Sequence, residues 1–220
     1  MIQALIFDFD GLILDTEWPE FQCWQETCQE YGVDLTIETW LPCIGTGITT
    51  RVFDPYDYLE AHCVQTLDRE AVYARLGIRH KELVEAQPVL PGIEALLIEA
   101  KRQGLGLAVA SSASRSWVAG HLDRLELMKY FDTLACGPEV PRTKPYPDLY
   151  LAALEKLGVQ ASQTIAFEDS RNGMLAARSA GIFCVVVPNL LTKYLSLEEA
   201  DLLLTSLADT SLMELVAHIA

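Results

Sequence analysis

The chain has 220 residues, of which 50% are hydrophobic and 21% are charged, and its formal net charge is −15. This hydrophobic fraction excludes an intrinsically disordered chain and is enough for one sizeable core with a small accessory domain. The negative charge disfavours nucleic acid and anionic membranes as partners, because both require a basic surface. The apolar runs are also much shorter than a membrane span.

The N-terminus and the cysteines predict a cytoplasmic protein. The first residues lack the basic segment and the long apolar segment of a signal peptide. The six cysteines form no CxxC pair and no regular metal-binding spacing, as expected of reduced thiols. Because no exposed apolar seam is evident in the sequence, we expect a monomer.

Apolar runs predict a first strand and then, after a long gap, several more. In chain order the predicted strands are residues 3–9, 105–110, 133–136, 164–167, 182–187 and 202–205, of which 133–136 and 202–205 are weaker signals. Helical patterns lie between them, at residues 93–102, 114–125, 147–157 and 172–180, and a helix ends the chain. Strands that alternate with helices predict an α/β fold with a parallel, Rossmann-like sheet. Functional residues in such folds gather at the carboxyl ends of the strands.

One long insertion interrupts this alternation. Residues 17–87 contain no convincing strand, and amphipathic helices are predicted at residues 19–31, 37–41, 56–67 and 69–85. A segment of about 70 residues is too long for a loop and predicts a small domain. We therefore expect a Rossmann-like core of residues 1–15 and 88–220, and an inserted all-helical domain of residues 16–87.

Two acidic residues follow the first predicted strand. Asp8 and Asp10 are two positions apart, so their carboxylates leave the strand end on the same side. The two carboxylates repel each other unless one holds a proton or a cation lies between them. Mg²⁺ suits this position because it prefers oxygen ligands. Gly11 allows a sharp backbone turn directly afterwards. An Asx turn or a helix N-cap is the alternative explanation of this pattern.

Polar groups also follow the other predicted strands. Glu168 and Asp169 could share the same cation, or could simply favour the start of a helix. Ser111 and Ser112 could hold phosphate oxygens at a helix start, or could act only as helix caps. Lys144 precedes a proline in a rigid turn, where it is either a fixed cation of the site or a solvated surface residue.

The order of these residues resembles one protein family. Residues 7–17, Phe-Asp-Phe-Asp-Gly-Leu-Ile-Leu-Asp-Thr-Glu, resemble the first motif of the haloacid dehalogenase-like (HAD) superfamily, in its phosphatase and β-phosphoglucomutase-like branch. Ser111 matches the second motif, Lys144 the third, and Glu168 with Asp169 the fourth. The resemblance extends over nearly the whole chain and implies the HAD fold with a helical cap inserted after the first motif.

The resemblance implies a Mg²⁺-dependent phosphatase that hydrolyses a small phosphorylated metabolite. Asp8 is the implied nucleophile, which becomes an aspartyl-phosphate. Asp10 is the implied general acid for the leaving oxygen and then the general base for water. The implied metal ligands are Asp8, the backbone carbonyl of Asp10, Asp169 and, directly or through water, Glu168.

The remaining implied roles concern substrate binding. Ser111, Ser112 and Lys144 are implied to hold the phosphate oxygens. Substrate choice is expected to lie in the cap, at Thr16 and Glu20 near its hinge and in the loop that contains Gly45 and Thr46. An ordinary connecting loop explains the glycines of that segment equally well.

Other functions remain as alternatives. A sugar-phosphate mutase is the first, but Glu20 stands where β-phosphoglucomutases have a cap histidine, and residues 43–48 lack their basic pair. A catalytically silent regulatory module would be favoured by the loss of Asp8, Asp10 or Asp169, and all three are present. A true dehalogenase would lack the second acid, Asp10.

Overall fold

The computed structural model describes residues 1–44 and 53–219 and contains a six-stranded sheet. The strands are β1 (Ala4–Phe7), β2 (Gly106–Ser111), β3 (Thr133–Cys136), β4 (Thr164–Glu168), β5 (Phe183–Val186) and β6 (Leu202–Leu203). Their order across the sheet is β3-β2-β1-β4-β5-β6, and every neighbouring pair is parallel. The predicted α/β class with a parallel sheet is confirmed.

Helices connect the strands and make up most of the inserted segment. In the described part of the chain they are α1 (Glu17–Glu30), α2 (Ile37–Trp40), α3 (Pro55–His62), α4 (Arg69–Glu85), α5 (Ile93–Arg102), α6 (Arg115–Arg124), α7 (Asp148–Leu157), α8 (Arg171–Ser179) and α9 (Leu212–Ala217). No described helix combines the length and the apolar character needed to cross a bilayer.

The chain divides into two compact units. One consists of Met1–Leu14 and Pro88–Ala220 and contains the whole sheet, and the other is Asp15–Gln87. The described secondary structure of the second unit is helical, from α1 to α4. Its interior is aromatic: Trp24 and Trp40 are buried, and Phe21 contacts the Trp40 ring at a centroid distance of 5.6 Å.

Buried residues on both faces of the sheet explain the parallel arrangement. All four residues of β1 are buried, as expected for a central strand covered by helices on each side. On one face, Ile6 aligns with Ala108 of β2 and Ala166 of β4. The two alanine side chains are small and leave room for α7 and α8, which bring Tyr150 and Met174 into the same core.

Several predicted boundaries differ from the structure, most by one or two residues, and two of the differences have a clear physical reason. β4 extends to Glu168, one residue beyond the predicted strand, because the backbone N–H of Val187 donates to the Glu168 carbonyl at 2.7 Å and continues the strand pairing. α3 ends at His62, whereas the apolar pattern predicted a helix to residue 67. Beyond that point Val64 is fully exposed, so a longer helix would bury no apolar surface there.

An ion-pair cluster links β3 to the helices on either side. Arg115 Nε lies 2.6 Å from Glu139 Oε1, and Lys156 Nζ lies 2.8 Å from Glu139 Oε2. Both cations also donate to the backbone carbonyl of Leu134. Hydrogen bonding from Arg115, supported by Lys156, lowers the pKa of Glu139 to about 2.

We expect Glu139→Gln to lower the free energy of unfolding by about 1 kcal/mol at pH 7, because partly exposed ion pairs are screened by water. The folded pKa lies below the ordinary carboxyl value of 4.5, so this stabilisation is present above pH 4.5 and is lost as the pH falls towards 2. Urea unfolding between pH 7 and 2.5 measures it. Glu85→Gln, which affects an exposed contact with Lys81 at 3.8 Å, is the matched control. A deficit that stays constant down to pH 3 would contradict this explanation.

Candidate active site

Polar side chains meet at the carboxyl edge of three adjacent strands. Ser111 is the last residue of β2, Asp8 directly follows β1, and Glu168 is the last residue of β4, with Asp169 next to it. The backbone N–H of Asp8 donates to the carbonyl of Phe167 at 2.9 Å, so the pairing of β1 with β4 continues to the edge. The fold therefore brings acids from two distant segments of the sequence to one place.

Lys144 lies between two of these acids. Its Nζ is 2.6 Å from Asp8 Oδ1 and 2.6 Å from Glu168 Oε1, and only 7% of its side chain is exposed. Burial alone would lower the pKa of Lys144, but the charges of Asp8 and Glu168 outweigh burial and raise it above its usual value. The ammonium group is therefore charged and fixed, which rules out a solvated surface role.

Glu168 is the most deeply buried acid of the group. Tyr150, on α7, donates its hydroxyl to Glu168 Oε1, and this oxygen also faces Lys144. Burial and the nearby charge of Asp8 raise the pKa of Glu168, although Lys144 and Tyr150 act in the opposite direction. Gly173 on α8 packs so closely on this carboxylate that any Cβ at that position would collide with it.

Three carboxylates of this cluster fit a divalent cation. Asp8, Glu168 and Asp169 are buried, and each offers an oxygen within 4.8 Å of the others. Among the described residues, the buried Oε2 of Glu168 has no hydrogen-bond donor. With Lys144 as the neighbouring cation, three carboxylates leave an excess of negative charge, and a hard ion such as Mg²⁺ prefers carboxylate oxygens.

Asp169 is oriented by a residue from the end of the sheet. Asn189 donates its side-chain Nδ2 to Asp169 Oδ2 at 2.9 Å. The amide is itself fixed, since its Oδ1 accepts the backbone N–H groups of Leu191 and Thr192, each at 2.9 Å. Asn189 therefore sets the direction of one carboxylate of the cluster.

Asp10 lies beside the cluster and accepts two side-chain donors. Ser111 donates Oγ to Asp10 Oδ2 at 3.3 Å, and Trp117 donates Nε1 to Asp10 Oδ1 at 2.9 Å. The turn that follows requires glycine, because Gly11 has a φ of +81° and a Cβ there would strike Asp169. The carboxylate of Asp10 is thus held in a defined direction at the edge of the sheet.

The other candidate residues differ in how far the structure describes them. Ser112 is exposed in the turn between β2 and α6. Thr16 is buried directly before α1, and Glu20 is half-buried in the first turn of that helix, both in the second unit. Gly45 and Thr46 lie outside the described residues.

Sequence patterns alone missed three residues that contact the site. Tyr150 occupies an apolar helix face and looks like ordinary core packing. Trp117 falls in the first turn of an amphipathic helix, and Asn189 follows a proline in what looks like a simple turn. Each contacts an acid of the site that is more than ten residues away in the chain. The spacing of apolar and polar residues along the sequence does not predict contacts over such distances.

Comparisons with known proteins point to one family. Residues 5–187 match the sequence model of the family described as "Haloacid dehalogenase-like hydrolase". The Bacillus subtilis protein named "Putative phosphatase YhcW" is 42% identical over 219 residues, covering 100% of this chain and 98% of the relative. Hexitol phosphatase B of Escherichia coli is 34% identical over 191 residues, covering 85% and 84%.

A solved structure agrees with these sequence relationships. The crystal structure of CbbY from Rhodobacter sphaeroides in complex with phosphate superimposes with a TM-score of 0.73 at 31% identity. The match covers 98% of this chain and 100% of the other. The similarity therefore includes both compact units and extends well beyond the motifs of the site.

Proposed function

Because the chain belongs to the haloacid dehalogenase-like hydrolase family and is a hydrolase of phosphate esters, we propose that it is a Mg²⁺-dependent phosphatase acting through an aspartyl-phosphate at Asp8. The observation that supports this proposal most directly is the cluster of Asp8, Glu168 and Asp169, with the buried ammonium of Lys144 between the first two. We further propose a phosphorylated sugar or sugar alcohol as the substrate, as the name of the hexitol phosphatase suggests.

In the first half-reaction Asp8 attacks the phosphorus atom and the bond to the ester oxygen breaks. Lys144 directs the Asp8 carboxylate through Oδ1, and the backbone N–H of Phe9 donates to the same oxygen at 2.7 Å. Asp10 gives its proton to the departing oxygen, so the alcohol leaves as a neutral molecule. The products of this step are the alcohol and phosphorylated Asp8.

In the second half-reaction water attacks the phosphorus and the bond to Asp8 breaks. Asp10, now a carboxylate, accepts the proton of that water, which restores both groups to their starting forms. Ser112 and Lys144 hold the phosphoryl oxygens during both steps, and the Ser111 hydroxyl joins them by turning from Asp10 to the phosphoryl group. The products are inorganic phosphate and the unmodified enzyme.

Asp8, Asp169, Glu168 and the carbonyl of Asp10 would hold Mg²⁺, which supplies positive charge against the phosphoryl oxygens when bound. The chain's own contribution is the buried set of carboxylates and their orientation by Asn189. Thr16 and Glu20, with Gly45 and Thr46, are the proposed determinants of substrate choice in the inserted helical domain.

A phosphate-release screen tests the proposal. It measures inorganic phosphate from p-nitrophenyl phosphate, hexose and hexitol phosphates, nucleotides and phosphoglycolate, each with Mg²⁺ and with a chelator. We expect release from at least one sugar or hexitol phosphate that requires Mg²⁺. Failure with every substrate would refute the phosphatase. Slow release with isomerisation that depends on an added sugar bisphosphate would instead identify the mutase.

We expect Asn189→Ser to weaken Mg²⁺ binding by about tenfold, the size typical of lost support to a metal-ligating group. A serine hydroxyl still accepts the N–H groups of the loop but is too short to reach Asp169. The shift in melting temperature on titration with Mg²⁺ measures the affinity. Thr192→Val is the matched control, because it removes the bond from Asn189 N to Thr192 Oγ1 and does not alter the bond to Asp169. Equal weakening in both variants would contradict the assignment.

A further inference from the structure

The Asp10 carboxylate receives a hydrogen bond from an indole. Trp117 Nε1 lies 2.9 Å from Asp10 Oδ1, across 107 positions of the sequence. Trp117 is the third residue of α6, and its backbone N–H is accepted by the hydroxyl of Ser114, the N-cap of this helix. The start of α6 is thus fixed at the position from which the indole reaches Asp10.

Ring contacts link the indole, through His121, to the residue next to Asp10. The Trp117 ring meets His121, one turn further along α6, edge to face at 4.4 Å. His121 in turn stacks on Phe9 at 6.2 Å, and Phe9 is the neighbour of Asp10 in the chain. The donor and its acceptor are therefore tied to the same aromatic group, which limits the rotations open to the indole.

Two donors from different elements define the plane of the carboxylate. Ser111, at the end of β2, donates a hydrogen bond to Oδ2, and Trp117, on α6, donates one to Oδ1. Without a donor, the carboxylate would rotate about its terminal torsion, which is broad for aspartate. When the Ser111 hydroxyl turns to the phosphoryl group, the Trp117 N–H still holds the Asp10 carboxylate in the direction that proton transfer requires.

We propose that Trp117 is the positioning residue for proton transfer by Asp10. The inference rests on the proposed phosphatase function and assigns to this reaction a residue outside the family motifs. Its consequence is specific: Trp117 matters where the leaving oxygen needs a proton. A sugar or hexitol alkoxide is a poor leaving group and needs that proton, whereas p-nitrophenolate departs without it.

The test compares the two kinds of leaving group in Trp117→Phe, which keeps an aromatic ring against His121 and removes the N–H donor. We expect kcat/KM on a hexitol phosphate to fall about 10- to 100-fold, part of the usual contribution of general acid catalysis. On p-nitrophenyl phosphate, kcat/KM should stay within about twofold, because it covers only the steps through departure of the leaving group and excludes the later attack of water, in which Asp10 is the base for both substrates.

Two further variants make the result decisive. Trp117→Met removes the donor with a flexible apolar side chain and must give the same split, so a folding defect peculiar to phenylalanine does not decide the outcome. Trp24→Phe is the matched control, since its indole contacts Tyr73 within the second unit. That control should affect neither substrate selectively.

The outcomes separate this inference from the proposed function. Equal losses on both substrates, or no loss on either, would overturn the role of Trp117 while leaving an active phosphatase. Asp10→Asn should show the same split with a larger effect on the hexitol phosphate. A wild-type protein that releases no phosphate from either substrate would overturn the proposed function, and the role of Trp117 with it.

Discussion

Replacing Asp8 with asparagine is expected to reduce phosphate release by at least about 10⁴-fold, the order found when a nucleophile is removed from an enzyme that forms a covalent intermediate. An amide nitrogen or oxygen does not attack phosphorus as a carboxylate does, and the variant has the same side-chain size. Steady-state release from p-nitrophenyl phosphate and trapping of the phosphorylated protein after an acid quench measure the two consequences. Both signals should disappear together.

The Asp8→Asn protein should remain folded, which separates loss of chemistry from loss of structure. Asp8 raises the pKa of Glu168 by charge repulsion, so removing this charge relieves part of the strain among the buried acids. Without metal, we expect the melting temperature to be equal to or above that of wild type. Phosphate release that survives the substitution would disprove the role of Asp8, and unfolding would disprove the electrostatic argument.

The first unit was well predicted because its signals are local. Helix α5 has the predicted bounds, Ile93–Arg102, and β3 has the predicted bounds, Thr133–Cys136. A proline and a glycine before α5, and an apolar run in β3, define these elements within a few residues. The glycine after α7 marks its end in the same way, since Gly158 has a φ of +68°.

The acidic residues of the site could be predicted from the sequence, but the hydrogen bonds that hold them could not. Strand ends of a parallel sheet meet at one edge, so acids after β1 and β4 were expected to be neighbours. Nothing in the local pattern showed that Tyr150 would hold Glu168, that Asn189 would hold Asp169, or that Trp117 would hold Asp10. Those contacts depend on how helices pack across the sheet, which sequence spacing does not encode.

Lys144→Met is expected to be the most destabilising of the substitutions considered. Methionine has a similar length but no charge, so Asp8 and Glu168 would be left as buried carboxylates without their common cation. Breaking a buried pair by removing one partner costs about 3–5 kcal/mol. Activity should fall by at least about 10²–10³-fold as well, since a fixed positive charge at the phosphoryl group is lost.

The loss of stability should depend on pH in a direction set by Glu168. In the metal-free wild type its pKa is raised from 4.5 to about 7, and Lys144 already opposes that rise. A carboxyl group that binds its proton more tightly when folded makes the protein less stable as the pH rises through this range. Without Lys144 the pKa of Glu168 rises further, so the deficit of Lys144→Met should be larger near pH 8 than near pH 5.

Urea unfolding in the presence of a chelator, at pH 5 and at pH 8, tests this dependence. Lys101→Met is the matched control, because Lys101 pairs with Asp132 at 2.7 Å where both side chains are at least one-third exposed. Its cost should stay below about 1 kcal/mol and change little over this pH range. Added Mg²⁺ should restore part of the stability of Lys144→Met at pH 8, since a divalent cation neutralises the same carboxylates. A deficit that is equal at both pH values and indifferent to Mg²⁺ would mean that Lys144 contributes packing alone, and that the acids of this edge do not repel one another.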